Sequence, residues 1–245
     1  MTSGGAGGVL AALGRHLGLG RRRDTREPGA FNHISLGSNC QMAHALKTLD
    51  LRTWSAPFDW LFTLPEMVSD CLADDFAALT DRGQLESIPE AERLGPGITR
   101  GRHRLYRARY GLECVFNHHD PAASDADYAF LAEGVRRLRQ ALSAEGTRNR
   151  FWLMSHLHIV PETVEAICDG LARQPSRNHL TVLQLLPGHP ALRLVETDEP
   201  RPDLRRLTVA CASAPVGLRL ADPAEDAALL EIVGREASRV PAQLA

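Results

Sequence analysis

The chain of 245 residues is poor in the features that announce a partner. Aromatic residues make up 5% of it, and the formal net charge is −2. A chain so close to neutral carries no electrostatic footprint for a nucleic acid, and none is expected to bind. Its five cysteines, at 40, 71, 114, 168 and 211, are odd in number, widely spaced and never in CxxC form. That pattern argues against a disulfide framework and a cysteine-based zinc site, and it fits a reducing cytoplasm. No run of 18 apolar residues occurs, so no membrane-spanning helix is expected. There is no HExxH, and no GxGxxG or GxxxxGK[ST] follows a strand, so nucleotide binding of those kinds has no support and no cofactor is expected. Residues 1–30 lack the order of a secretory signal. Arg15 and His16 interrupt the apolar piece VLAALGRHLGL, and the RRR charge follows it. They read as a flexible N-terminal tail.

What the chain does have is a regular alternation from residue 31 onward, with 44% hydrophobic residues to bury. HISLG, RFWLMSH, HLTVLQLLPG, LRLVE and RRLTVACA read as strands, as does ECVFNHHD. Between them, SNCQMAHALKTLDL, the stretch from Pro65 through EMVSDCLADDFAAL, DADYAFLAEGVRRLRQALSAEG, PETVEAICDGLARQ and DPAEDAALLEIVGREAS carry helical spacing and start signals. Residues 80–105, rich in charge, Gly and Pro, read as a surface excursion. Strands alternating with crossover helices predict a single α/β domain over 31–240. Its expected form is a three-layer sandwich around a mainly parallel, doubly wound (Rossmann-like) sheet, with room for an antiparallel edge among the later strands.

In such sheets the functional crevice lies beyond the carboxyl ends of the strands. The first strand delivers Gly37, Ser38, Asn39 and Cys40, followed by Gln41. Other strand ends deliver His118, His119 and Asp120, then Ser155, His156 and His158, then His189. Cys40 has the most specific placement. At the start of a helix a thiolate faces unpaired N–H groups and the positive end of the dipole, which favours the nucleophilic form and could hold an oxyanion. His118 and His119 compete for the role of base, with His156 a further candidate, and Asp120 could orient a ring or cap the turn. In APFDWLF, Asp59 is either a third catalytic member or an acid bonding the turn. Phe58 and Trp60 read as core or pocket wall.

The blocks ISLGSNC and PFDW, the DDF at Asp74–Phe76 and a run into His-Asp resemble a family of uncharacterised bacterial proteins described as "putative papain-like cysteine peptidases". The resemblance covers roughly residues 32–185. It implies a cysteine nucleophile at Cys40, a histidine at His119 directly before Asp120, and Asp59 at the acid of PFDW. Pro121 stands where the family has Phe after His-Asp. Papain-type enzymes carry an oxyanion-hole Gln before the Cys, and here FNHISLGSN has none. By position, the turn is also similar to that of SGNH-type hydrolases, whose nucleophile follows the first strand.

The expectation is therefore a cysteine-dependent hydrolase or acyltransferase acting on a small-molecule, peptide or acyl substrate through Cys40, His119 and Asp59 or Asp120. Two alternatives stand beside it. One is a non-catalytic α/β module binding a saccharide or nucleotide-sugar intermediate. The other is a metal-dependent hydrolase using His118, His119, His156 and His158.

Overall fold

In the computed structural model the described residues are 31–93 and 100–244. The expected tail, residues 1–30, lies outside them, as do residues 94–99 of the surface excursion. Five strands form the main sheet: β1 (Asn32–Ser35), β4 (Arg148–Ser155), β5 (Arg177–Leu186), β6 (Arg193–Arg201) and β7 (Leu204–Ala210). Their order is β1-β4-β5-β7-β6. The first four are mutually parallel, and β6 pairs antiparallel to β7 at the edge. The order steps one way from β1 to β7, without the reversal that marks a doubly wound sheet. The sheet is thus mostly parallel as expected, but it offers no switch point to locate a crevice.

Among the described residues seven α-helices accompany it: α1 (Cys40–Thr48), α2 (Pro65–Ala73), α3 (Ala77–Thr80), α4 (Arg104–Tyr110), α5 (Asp125–Ser143), α6 (Pro161–Ala172) and α7 (Pro223–Ala237). The strand alternation sorts the core into two clusters. Phe151 and Leu153 of β4 join Met67, Val68, Leu138 and Ile167 from α2, α5 and α6. Trp152 and Met154 join Met42 and Leu46 of α1 and Leu229 and Val233 of α7. β6 is exposed along most of its length, and its ladder shifts register twice before Arg201. With Pro200 in it, this strand is a blunted edge.

Two expectations fail locally. ECVFNHHD is not a strand of the sheet: only Phe116 pairs, in isolated bridges to Leu61 and Gly101, and His118 and His119 lie in a loop. The main sheet ends at β1, and the run bridges Leu61 and Gly101 instead of extending that edge. The surface excursion contains structure of its own. β2 (Leu85–Ser87) and β3 (Gly101–His103) pair antiparallel, and α4 follows at once. Only Tyr106 of α4 is buried, so RLYRARY shows little apolar periodicity. Its ends are specified by side chain and backbone: His103 Nδ1 accepts from Tyr106 N at 3.4 Å, and Gly111 closes the helix in the left-handed region.

The sheet carries one fully buried cation. Arg150, on β4, donates to Thr181 Oγ1 (3.2 Å), to the Ala237 and Arg239 carbonyls (3.3 and 2.9 Å) and to Glu236 Oε1 (3.0 Å). Glu236 also faces Arg205 at 2.7 Å. This network fastens the end of α7 to the strands. Removing one member leaves a desolvated charge, which costs about 3–5 kcal/mol, whereas replacing a buried pair together by apolar groups is often neutral. Glu236→Leu is therefore expected to lower the urea-unfolding free energy by about 3 kcal/mol or more, and adding Arg150→Met should recover part of that loss. Unchanged stability in the single variant would count against the network.

Candidate active site around Cys40

β1 runs into a turn that is fastened on three sides. Leu36 N donates to Trp152 O at 2.8 Å, continuing the ladder. Ser38 Oγ donates to Met154 O at 2.6 Å, and Thr63 N donates to Ser38 O at 3.1 Å. Gly37 sits at φ +89°, and a Cβ there would lie 2.1 Å from Thr63 Oγ1. Both the backbone sign and the close approach require glycine. Asn39 then caps α1, its Oδ1 accepting from Gln41 N at 2.9 Å, and Cys40 is the first helical residue. The cysteine lies where the sequence suggested, but it is only 3% exposed.

PFDW wraps the other side. Asp59 is buried; it accepts from Ala56 N (3.1 Å) and from the Arg52 guanidinium, which also donates to Ser55 Oγ (3.1 Å) and lies 5.4 Å from the centre of the Trp60 ring. Asp59 thus bonds its own turn through Ala56 N. Phe58 is core, 6.0 Å from Phe76 between ring centres. Phe76 closes the DDF break between α2 and α3, where Asp75 and Phe76 both have positive φ.

The next strip, 61–63, holds the histidine loop. Phe62 N donates to Val115 O at 2.9 Å, and Leu61 bridges Phe116. Asn117, His118 and His119 follow. Asn117 Nδ2 lies 2.9 Å from His118 Nε2. An amide nitrogen only donates, so that ring nitrogen accepts and is unprotonated. His119 Nδ1 lies 3.3 Å from Asp127 Oδ1 and its ring stacks on Phe130 at 4.9 Å. It faces a slot walled by Pro57, Trp60, Phe116 and Leu131. Asp120 does not orient a ring: its Oδ1 accepts from Ala122 N and Ala123 N, both at 3.2 Å, and its own N donates to Asp127 Oδ2 at 2.7 Å. The acid against His119 is therefore Asp127, at the start of α5. His156, His158 and His189 are exposed beyond the ends of β4 and β5. Among the described residues, no three His, Cys, Asp or Glu side chains converge as metal ligands, so His118, His119, His156 and His158 do not assemble one.

The electrostatics reverse one expectation. Burial pushes the Cys40 thiol up to about 11. A hydrogen bond from the Asn117 side chain lowers it, and the Asp59 carboxylate adds to the rise. Desolvation outweighs the helix start, and the thiol is protonated at neutral pH. Burial also raises Asp59, to about 6, against the pull of Arg52. His118 is held below the usual imidazole range by burial and by the nearby His119 and Arg100. The same neighbourhood holds unmet bonding capacity. Of seven buried side-chain polar atoms without a hydrogen-bond partner among the described residues, four belong here: Gln41 Nε2, Arg52 Nε, Asp59 Oδ1 and Asn117 Oδ1.

Asn117, Arg52, Thr63 and Asp127 were not singled out in the sequence. Asp127 had a visible signal, being an acid in the first turn of a long helix just after the histidines. Asn117 stood inside FNHHD, overshadowed by the imidazoles.

The geometry defines an α/β protein with a buried helix-start cysteine and an Asn-His-His loop fastened to the strip that follows PFDW. Residues 31–139 match the model of the family described as "Putative papain-like cysteine peptidase". That range contains Cys40, Asp59, the 117–120 loop and Asp127. No curated protein and no solved structure matches the chain.

A protonated resting thiol has a direct signature. Only the thiolate reacts with iodoacetamide, so site-resolved alkylation of Cys40 should rise about tenfold per pH unit through pH 7 to 9 without levelling. A plateau below pH 8, read by peptide mass spectrometry, would show a thiolate already formed.

Proposed function

We propose that the protein is a cysteine-dependent hydrolase of the peptidase or acyltransferase kind, with Cys40 as its nucleophile. The observation that carries this reading is Cys40's place as first residue of α1, beside side chains whose buried polar atoms lack partners. Hydrogen-bonding capacity left open around a thiol suits a reacting carbonyl and its oxyanion.

The chemistry begins from a neutral thiol rather than a resting ion pair. An imidazole of the His118–His119 pair takes the Cys40 proton as sulfur bonds to the carbonyl carbon, and the carbonyl π pair moves to oxygen. N–H groups at the start of α1 and the side chains of Asn39 or Gln41 hold that oxyanion; Asn39 Oδ1 already occupies Gln41 N. Collapse breaks the bond to the leaving amine, alcohol or thiol, which takes the proton from the imidazolium. Water, deprotonated by the same imidazole, then cleaves the thioester and restores the thiol. An acceptor amine or alcohol in place of water makes the enzyme an acyltransferase. Asp127 holds the His119 ring, as the acid of PFDW was expected to do.

This reading includes one domain over residues 31–240, a three-layer arrangement with helices on both sheet faces, and a cytoplasmic setting. No helix among the described residues is long and apolar enough to cross a membrane. The raised proton affinity of Cys40 favours a second reading, a non-catalytic module binding a saccharide or nucleotide-sugar intermediate at the same place. Turnover separates the two. Against a panel of activated amides, esters and thioesters, Cys40→Ala is expected to lower kcat by at least about 100-fold, with the wild type showing a burst as acyl-enzyme accumulates. Activity that survives Cys40→Ala would sink the hydrolase reading.

A further inference from the structure

We infer that the protein has a second binding site, a cleft at the carboxyl ends of β5 and β7 that takes an aliphatic amine. The inference goes beyond the hydrolase reading and does not rest on it. In the sheet order β4 stands between β5 and β1, the strand that leads to Cys40. The cleft has a volume of about 290 Å³, near the lower bound of about 300 Å³ for ligand pockets. It exists because helix cover on one sheet face stops short. Phe151 and Leu153 of β4 and Val182 of β5 pack with residues of α2, α5 and α6. The register carries that face onward, from Val182 to Arg206 and Asp198 and from Gln184 to Thr208 and Glu196. These four outer residues are polar, and none of them is fully buried. The edge of the helical cover, Ile159, Pro161 and Val164, is thus an apolar wall beside a polar floor.

The wall is fixed before any ligand arrives. Gln184 Nε2 donates to Ser155 O (3.1 Å) and Leu157 O (3.0 Å), and its Oε1 accepts from Ile159 N at 3.0 Å. One side chain therefore pins the loop that leads from β4 to α6, with His158 on the rim. The floor selects the sign of the ligand. Arg206 donates to both carboxylate oxygens of Asp198, at 3.1 and 2.7 Å, and that pair is closed. Glu196 and Glu165 also act on Arg206. The Glu196 carboxylate has no hydrogen-bond or ion-pair partner among the described residues. Three carboxylates thus surround one guanidinium, and even a protonated His158 leaves acids in excess. The start of α6 would draw an anion, but Glu162 already stands in its first turn. An aliphatic wall and a free carboxylate suit a ligand with a hydrocarbon stem and an ammonium head, whether a lysine side chain or a free alkyl diamine.

Calorimetric titration of the full chain tests this without any turnover, so its result is independent of the role of Cys40. Cadaverine and Nα-acetyl-lysine amide are the probes, with the five-carbon diol and glutarate as neutral and anionic controls. The amines are expected to bind and the controls not to. Tighter binding of the lysine amide indicates a peptide source, and tighter binding of cadaverine a free polyamine. Glu196→Gln, at an exposed position that leaves the fold intact, should weaken amine binding about fivefold. Arg206→Gln should strengthen it by removing the competing cation. Thr208→Phe fills the floor and should abolish it. No amine binding up to about 10 mM would overturn the inference. So would equal binding of the diol or glutarate, a change below twofold in Glu196→Gln, weaker binding in Arg206→Gln, or binding that survives in a folded Thr208→Phe protein.

Discussion

The structure turns on the close approach at Gly37. Thr63 packs where any Cβ would stand, and this contact lets three chain segments meet within a few residues. β1 ends there, Ser38 ties the turn to the end of β4, and Thr63 brings the strip that carries the histidine loop. Without it, α1 could still begin at Cys40, but nothing would hold PFDW on one side and Asn117 on the other. The sheet contributes by being rigid. β1 and β4 pair in parallel, both of their ends are buried, and Trp152 and Phe151 lock β4 between the two core clusters. A site built from loops gains precision from a turn fixed in this way.

Burial and helix polarity compete at Cys40, and their magnitudes decide the outcome. A helix terminus contributes about 0.3–1 kcal/mol at an exposed charge and up to about 2 in favourable partly buried settings. A rise of about two units over the ordinary thiol value of 9.0 corresponds to about 3 kcal/mol in favour of the neutral form. The lowering pulls of the Asn117 side chain and of a backbone N–H are included in that net rise and are overruled by desolvation. Asp59 pushes the same way, even with Arg52 bonded to it. The motif order suggested a reactive thiolate. The folded environment supplies a thiol whose reactivity depends on a partner removing its proton.

Much of the architecture could be read from the chain because its periodicities are strong. The apolar runs in RFWLMSH and HLTVLQLLPG, Pro65 and Pro161 at helix starts, and Asn39 as a cap all act locally and are visible locally. What escaped depended on distance along the chain. The single direction of strand order is a property of pairing, and no single segment encodes it. The loop at 115–120 has strand composition, yet its pairing is decided by Leu61 and Gly101, far away in sequence. The site was legible at Cys40 and only partly beyond it. Asp59 bonds its own turn and Arg52, a partner seven residues earlier across a proline-containing turn. Asp127 is the acid that meets His119, because a helix start sets a side chain in space more firmly than adjacency in sequence does.

The unmet polar atoms bear on why the fold keeps such a site. A buried donor or acceptor left dry costs about 1–3 kcal/mol, and apolar replacements would remove the cost. Gln41, Arg52, Asp59 and Asn117 nevertheless sit in one connected neighbourhood. Asp59 bonds Arg52, Asp59 and Asn117 both act on the Cys40 thiol, and Gln41 follows Cys40 in the chain. A structural cysteine needs none of these groups, since a small thiol packs well among hydrocarbons. A reacting centre does need them, because donors already fixed in place need no reorganisation as charge develops on the substrate oxygen. Donors and acceptors without partners around a neutral thiol are therefore more consistent with a site closed in its resting state than with a packing accident. On the proposed reading, the arrival of a carbonyl both satisfies the polar groups and frees the sulfur to meet its base.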